Sequence, residues 1–253
     1  PTEDVDFAFR ADLLGYGGVF LYKRYAYGAP VDSFYTFLSQ QWRYTIGSSW
    51  LFLEYLKRFS QMGNPVKHIH YLTQLGGYFY LSVPFILYAL LGILFMAYDI
   101  SLRTVNSQVF TPGYLEAIAV SYIFAIILLV VVGGRLYFGS FRMGLLAAFM
   151  NFACAIVRAR AILFGIFKLP VKFVMARQGN HKVTVLNALR STMWETSFSV
   201  VLLGFGLLAF FRHDAISGFW LLWYSWLFLC AFMFVYAMDV LGSRSKEPVH
   251  QPP

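Results

Sequence analysis

The sequence predicts a mainly α, polytopic membrane protein with four transmembrane helices and interfacial helices, and three observations carry that expectation. Of 253 residues, 59% are hydrophobic and 13% charged, about half the charged fraction usual in a soluble domain. Four stretches are apolar and long enough to cross a hydrocarbon core of about 30 Å at about 1.5 Å per residue. Basic residues gather between alternate stretches, as the positive-inside rule requires.

The spans fall at about 77–98, 115–134, 193–211 and 216–239. Gly77 to Tyr98 carries no formal charge, and Pro84 is a natural kink. Ala117 to Gly134 is bounded by Glu116 and Arg135. Met193 to Phe211 crosses with Glu195 near one interface, and Ala215 to Met238 is free of formal charge. The segment 143–168 differs, because Arg158 and Arg160 interrupt it at the depth where charge is most expensive. At helical period Gly144, Ala147, Ala148, Asn151, Ala155, Arg158 and Ala161 share a small or polar face, with Leu145, Leu146, Phe149, Phe152, Ile156 and Leu163 opposite. This reads as a helix lying in the interface; a fifth span with snorkelling arginines is the alternative.

Lys and Arg number seven before the first span, nine between the second and third and two in the tail, against one in 99–116 and one in 212–214. Both termini and the long middle segment are therefore expected in the cytoplasm, with the chain multi-pass in the plasma membrane. The net charge of +8 follows from this bias and needs no nucleic-acid partner. Trp220, Trp223 and Tyr224 then form an outer aromatic belt. Cys154 and Cys230 lack metal or redox spacing and read as packing residues. His68 and His70 have no third ligand to converge with.

Two short polar words precede the spans. Thr2-Glu3-Asp4 opens a helical pattern over Val5 to Leu14, which Gly15 ends before the β-prone Val19-Phe20-Leu21-Tyr22. Gln40-Gln41-Trp42-Arg43-Tyr44 lies in an expected helix from Val31 to about Gln61. There the i, i+3, i+4 spacing aligns the amide of Gln40, the cation of Arg43 and the ring of Tyr44. Such a trio suits a phosphorylated sugar, with Arg and Gln on phosphate oxygens and the ring against a pyranose face. Each word alone also reads as ordinary structure: acids stabilise helix N-termini, and an amphipathic helix exposes its Arg.

Together, a TED triplet, a helix ended by Gly, a β-prone segment, a QxxRW-like motif and the spans behind them resemble the C-terminal part of the membrane-embedded family 2 glycosyltransferases. Cellulose, hyaluronan and chitin synthases belong to this group. The resemblance implies a cytoplasmic region over 1–70, comprising the remnant of an α/β (GT-A type) glycosyltransferase domain plus an interfacial helix, and a membrane domain over 71–253. It implies an inverting transferase moving sugar from a nucleotide-sugar donor to a growing polysaccharide or lipid-linked acceptor. Asp4 would be the general base, with Glu3 beside it in the substrate site. Gln40 and Arg43 would hold the donor pyrophosphate. Tyr44 stands where the family usually has Trp, and Trp42 is a substitute plate for the acceptor sugar. An FxVTxK-like gating segment is matched only loosely, by Phe173-Val174-Met175-Ala176-Arg177-Gln178. The Mg²⁺ or Mn²⁺ of the full-length enzyme would bind an acidic motif in a donor-binding half preceding Thr2, so this chain is expected to be a fragment, inactive alone. Two other classes compete: a small transporter or channel, which calls for polar groups at central span depth, and a noncatalytic membrane subunit.

Overall fold

The computed structural model describes residues 3–19, 31, 33–61, 64–98, 121, 124–125, 128, 132–136, 139–170 and 184–241. Every regular element among them is helical. The helices are α1 (Glu3–Leu13), α2 (Phe34–Lys57), α3 (Pro65–Ala97), α4 (Phe141–Ala153), α5 (Ala155–Ile166), α6 (Val185–Ser191), α7 (Met193–Phe211) and α8 (Ala215–Phe234), the last continuing as a π-helix over Val235–Leu241. Residues 20–22 of the β-prone stretch and the whole of 173–178 lie outside the described residues, as does most of the expected span 115–134; the described residues within that span are helical.

Local chemistry sets the helix starts. Ser33 Oγ accepts from Thr36 N at 3.0 Å to begin α2, and Asp214 Oδ1 accepts from Ser217 N at 3.1 Å to begin α8. Asn64 Oδ1 accepts from Val66 N at 2.9 Å, with Pro65 at the first helical position of α3. Gly15, at φ +83°, follows α1 in the left-handed region that side chains resist. The Asn64-Pro65 start makes α3 33 residues long, or roughly 50 Å. It exceeds a hydrocarbon core, so its first turns, with Lys67, His68 and Tyr71, project beyond the apolar part. The helix runs through Pro84 without a break.

Helices α3 and α7, together with α8 and its π-helical continuation to Val240, are long and apolar enough to cross a membrane. α7 and α8 form a hairpin joined by reciprocal serine contacts, Ser199 Oγ to Ser225 O and Ser225 Oγ to Ser199 O, both 2.8 Å. Small polar residues of this kind bind helices together where lipid offers no hydrogen bonds. Phe85 and Ala89 of α3, Leu202 and Ala209 of α7 and Leu221, Leu227 and Phe228 of α8 bury one shared core.

Segment 143–168, expected as one helix, is a bent pair instead: α4 and α5 meet at Cys154 with an angle of 47°. At the bend Cys154 N bonds back to Asn151 O, the tightened pattern that closes one helix early. Taken together as one broken span, the pair would be a fourth crossing. α4 packs along α8, whereas α5 lies beside α2 and α3. The small and polar face recognised in the sequence turns inward in part: Gly144, Ala155, Arg158 and Ala161 are buried and Ala147, Ala148 and Asn151 half-buried, while of the opposite face Leu145, Leu146 and Leu163 are exposed but Ile156 is buried in the core, with Phe149 and Phe152 packed on it. A membrane helix with its bulky apolar side outward is the inverse of a soluble amphipathic helix.

α2 crosses one end of the bundle. Its start is held by Asp239 at the end of the α8 continuation, whose carboxylate accepts from Phe34 N at 2.8 Å and Tyr35 N at 2.9 Å. Its second half packs Leu51 and Tyr55 on Tyr71 and Leu75, in the first third of α3. Both anchors sit at the same end, so α2 runs over the bundle rather than along it. At the opposite end Arg212 donates to Met96 O at 3.0 Å, where α3 and α7 finish.

Two further contacts fix this layer. α1 docks through Phe9, whose ring stands edge-on to Tyr71 at 5.2 Å, and through Asp12, which accepts from Lys67 Nζ at 2.5 Å and Tyr71 Oη at 3.1 Å. Tyr55 Oη pairs with His68 Nδ1 at 2.9 Å, and burial raises the Tyr55 phenol above its ordinary pKa, keeping it a donor. α5 lies so close to α2 that a Cβ on Gly165 would stand 2.7 Å from Ser49 Cβ and 3.0 Å from Ile46 O. Gly165→Leu is therefore expected to lower stability by about 1–3 kcal/mol or more through overpacking, read as a fall in thermal midpoint in detergent. Ser49→Gly on that background should recover part of the loss, which it would not do if the contact were loose.

Candidate functional site

The Gln40, Arg43 and Tyr44 side chains meet on α2 as their spacing requires. Gln40 Nε2 donates to Tyr44 Oη at 3.1 Å, and the Arg43 guanidinium lies over the Tyr44 ring, 5.3 Å from its centroid. The ring contact holds a long cation in place, and the Gln40 bond fixes the ring that holds it. Among the described residues Arg43 makes no hydrogen bond or ion pair, and its buried Nε has no partner. Five fixed N–H donors without an acceptor are suited to an oxyanion with oxygens to spare.

Trp42 points to a different face. Its ring meets Phe164 edge-on at 5.1 Å and carries the Arg160 guanidinium at 5.6 Å. It is thus packed against α5 and does not stand beside Tyr44 as a second plate. Glu3 and Asp4 occupy the first turn of α1, both exposed. Asp4 makes no hydrogen bond or ion pair among the described residues. α1 is anchored at the Tyr55 end of α2, whereas Arg43 and Tyr44 lie in its first half. Eleven residues separate Tyr44 from Tyr55, roughly 16 Å of helix. The structure therefore forms the Gln40, Arg43 and Tyr44 cluster and places Asp4 on the neighbouring helix, without joining the two by a direct contact.

Several residues that complete the surroundings did not stand out in the sequence as site residues. Arg158, 5% exposed, donates through Nε and Nη2 to Gln41 Oε1 at 3.1 and 2.8 Å. Its Nη1 donates to Asn151 Oδ1 at 2.5 Å, and its guanidinium lies 5.4 Å from the Tyr78 ring centroid. A buried cation satisfied by neutral carbonyl oxygens keeps its charge, so the α2 cluster has a second guanidinium behind it. The contact between Asn151 and Arg158 spans the 47° bend. The signal was present in the sequence as a charge inside an apolar run, but its partner, 117 residues away, was not.

Among the described residues no three of His, Cys, Asp or Glu converge as a metal-binding group. The glycosyltransferase resemblance puts the ligands of the Mg²⁺ or Mn²⁺ outside this chain, and no step below passes through the ion. Comparison of the chain with models of known families, with curated proteins and with solved structures finds no match.

Proposed function

We propose that the chain is the acceptor-side and membrane part of an inverting glycosyltransferase, which moves a sugar from a nucleotide-sugar donor to a glycan or lipid-linked acceptor at the cytoplasmic face. One observation carries the reading: an unspent guanidinium, Arg43, held over the Tyr44 ring beside the Gln40 amide, at the end of the bundle where α2 and α5 gather. The TED and QxxRW-like words support it, because α1 and α2 are docked on the same end of α3. The 1–70 region would be the remnant of the α/β donor-binding domain and its interfacial helix, with the termini in the cytoplasm and the bundle in the plasma membrane.

In this reading Asp4 accepts the proton of the acceptor hydroxyl. The freed oxygen attacks the anomeric carbon from the side opposite the nucleotide, the bond to the diphosphate breaks with its electron pair, and the configuration inverts. Arg43 and Gln40 stabilise the negative charge that gathers on the departing diphosphate. Tyr44 offers its remaining face to a sugar ring.

In the full-length protein, Arg43→Ala should weaken nucleotide diphosphate affinity by about 10-fold or more, as loss of a charge-assisted contact worth roughly 1.5–3 kcal/mol predicts. Equilibrium binding of the labelled diphosphate reads this directly. Unchanged affinity would remove Arg43 from the donor site and, with it, the observation on which the proposal stands.

A further inference from the structure

We infer that Arg160, Trp42 and Trp194 form a headgroup site for an anionic phospholipid, separate from the Arg43 cluster. The Arg160 guanidinium lies against two indoles, 5.6 Å from the Trp42 centroid and 5.1 Å from that of Trp194. Among the described residues it makes no hydrogen bond or salt bridge. A cation held by two aromatic rings, with no protein acceptor for its N–H donors, is an arrangement that receives a phosphate.

Depth and neighbours decide which phosphate. Trp194 belongs to the first turn of α7, a membrane-crossing candidate, and is 55% exposed. Its indole therefore stands where a span enters the headgroup layer, the level at which Trp is enriched. Below it on the same face of α7 run Val201 and Leu208, at i+7 and i+14, both exposed. Leu163 of α5 and Phe167 just beyond it, at i+3 and i+7 from Arg160, are also exposed. A cation at the entry of α7, whose exposed apolar face leads into the bilayer, matches a phospholipid, charged at one end and aliphatic below. A free phosphate or nucleotide would leave that surface unused.

Glu195, beside Trp194, is the acidic group to be reckoned with. It is 1% exposed and faces inward, and its buried Oε1 has no hydrogen-bond partner. It interacts with Arg160 through charge, but no salt bridge joins the two, so the guanidinium keeps N–H donors for a phosphate. Arg158, close by in sequence, is spent on Gln41 and Asn151 and does not compete for the lipid.

The test uses the full-length protein in nanodiscs of phosphatidylcholine doped with phosphatidylglycerol, and counts retained phosphatidylglycerol by native mass spectrometry. Arg160→Ala should lower its retention about fivefold, the share expected of one basic side chain at an anionic surface. Trp194→Phe should lower it less, and Arg160→Lys should keep part of it. Arg190→Ala, which removes an exposed cation outside the site, should lower it less than Arg160→Ala does. Should Arg160→Ala fail to fold, the Arg160→Lys and Trp194→Phe series decides by the same ranking. Equal retention in the parent and the Arg160 variants would overturn the site. Inorganic pyrophosphate that displaces the lipid and binds equally well in pure phosphatidylcholine discs would reassign it to soluble phosphates. The readout needs no transferase activity, so it stands or falls independently of the role given to Arg43.

Discussion

Asp4→Asn in the full-length protein is expected to reduce sugar transfer by about 10²–10⁴-fold, the usual contribution of a positioned general base, while leaving nucleotide diphosphate affinity unchanged. The fold gives this experiment a clean background. Asp4 is exposed in the first turn of α1 and makes no hydrogen bond or ion pair among the described residues, whereas α1 is held by Phe9 and Asp12 further along. The structural cost of the change is confined to loss of an acid near a helix N-terminus, about 0.3–1 kcal/mol, and Glu3 and Asp6 remain in the same turn. Transfer assays with labelled donor, run beside diphosphate binding, separate the outcomes. Persistence of transfer near the parent rate would show that another group takes the proton. Loss of both transfer and affinity would place Asp4 in binding.

Much of this architecture could be read from local pattern, and the rest depends on pairs far apart in sequence. Gly15 ended α1 where a left-handed residue was needed, and the charge-free stretches located α3, α7 and α8. The i, i+3, i+4 spacing brought Gln40, Arg43 and Tyr44 together because neighbours on one helix face are fixed by the helix itself. The Asn64-Pro65 start of α3 was equally local, a cap followed by Pro at the first position, yet hydropathy alone begins the span a dozen residues later. The bend at Cys154 carries neither Gly nor Pro, the usual causes of a kink. It is tied to Asn151 and Arg158, and the Gln41 that completes their network lies on another helix. Trp42 shows the same limit: its spacing allowed a second sugar plate, but contact with Phe164 and Arg160 turned it into α5. Glu195 read as an acid near one end of a span; only the tertiary fold shows that it is buried beside Trp194 and that Asp239 caps α2.

Asp239→Ala is expected to be the most destabilising single change in the described structure. Its carboxylate, 5% exposed, accepts from the backbone N–H groups of both Phe34 and Tyr35, two of the four donors a helix start leaves without internal partners. Ser33 serves Thr36 and cannot replace it. Removing the acceptor leaves two N–H groups unsatisfied at about 1–3 kcal/mol each, so a loss of roughly 2–6 kcal/mol follows if no water enters. Asp239→Asn keeps one acceptor oxygen and should lose about half as much. The effect would spread beyond stability, because the same contact fixes the end of α2 from which Gln40 and Arg43 project. The π-helical turn over Val235–Leu241 has a reason in this geometry: the wider turn ends α8 with Asp239 facing the start of α2, and such turns recur where a side chain must be aimed. Thermal melting should therefore rank Ala below Asn below the parent, and limited proteolysis should expose the start of α2 in the same order. Equal melting of all three would mean that α2 is held by its packing on α5 alone, and that the last span and the Arg43 helix are not coupled through Asp239.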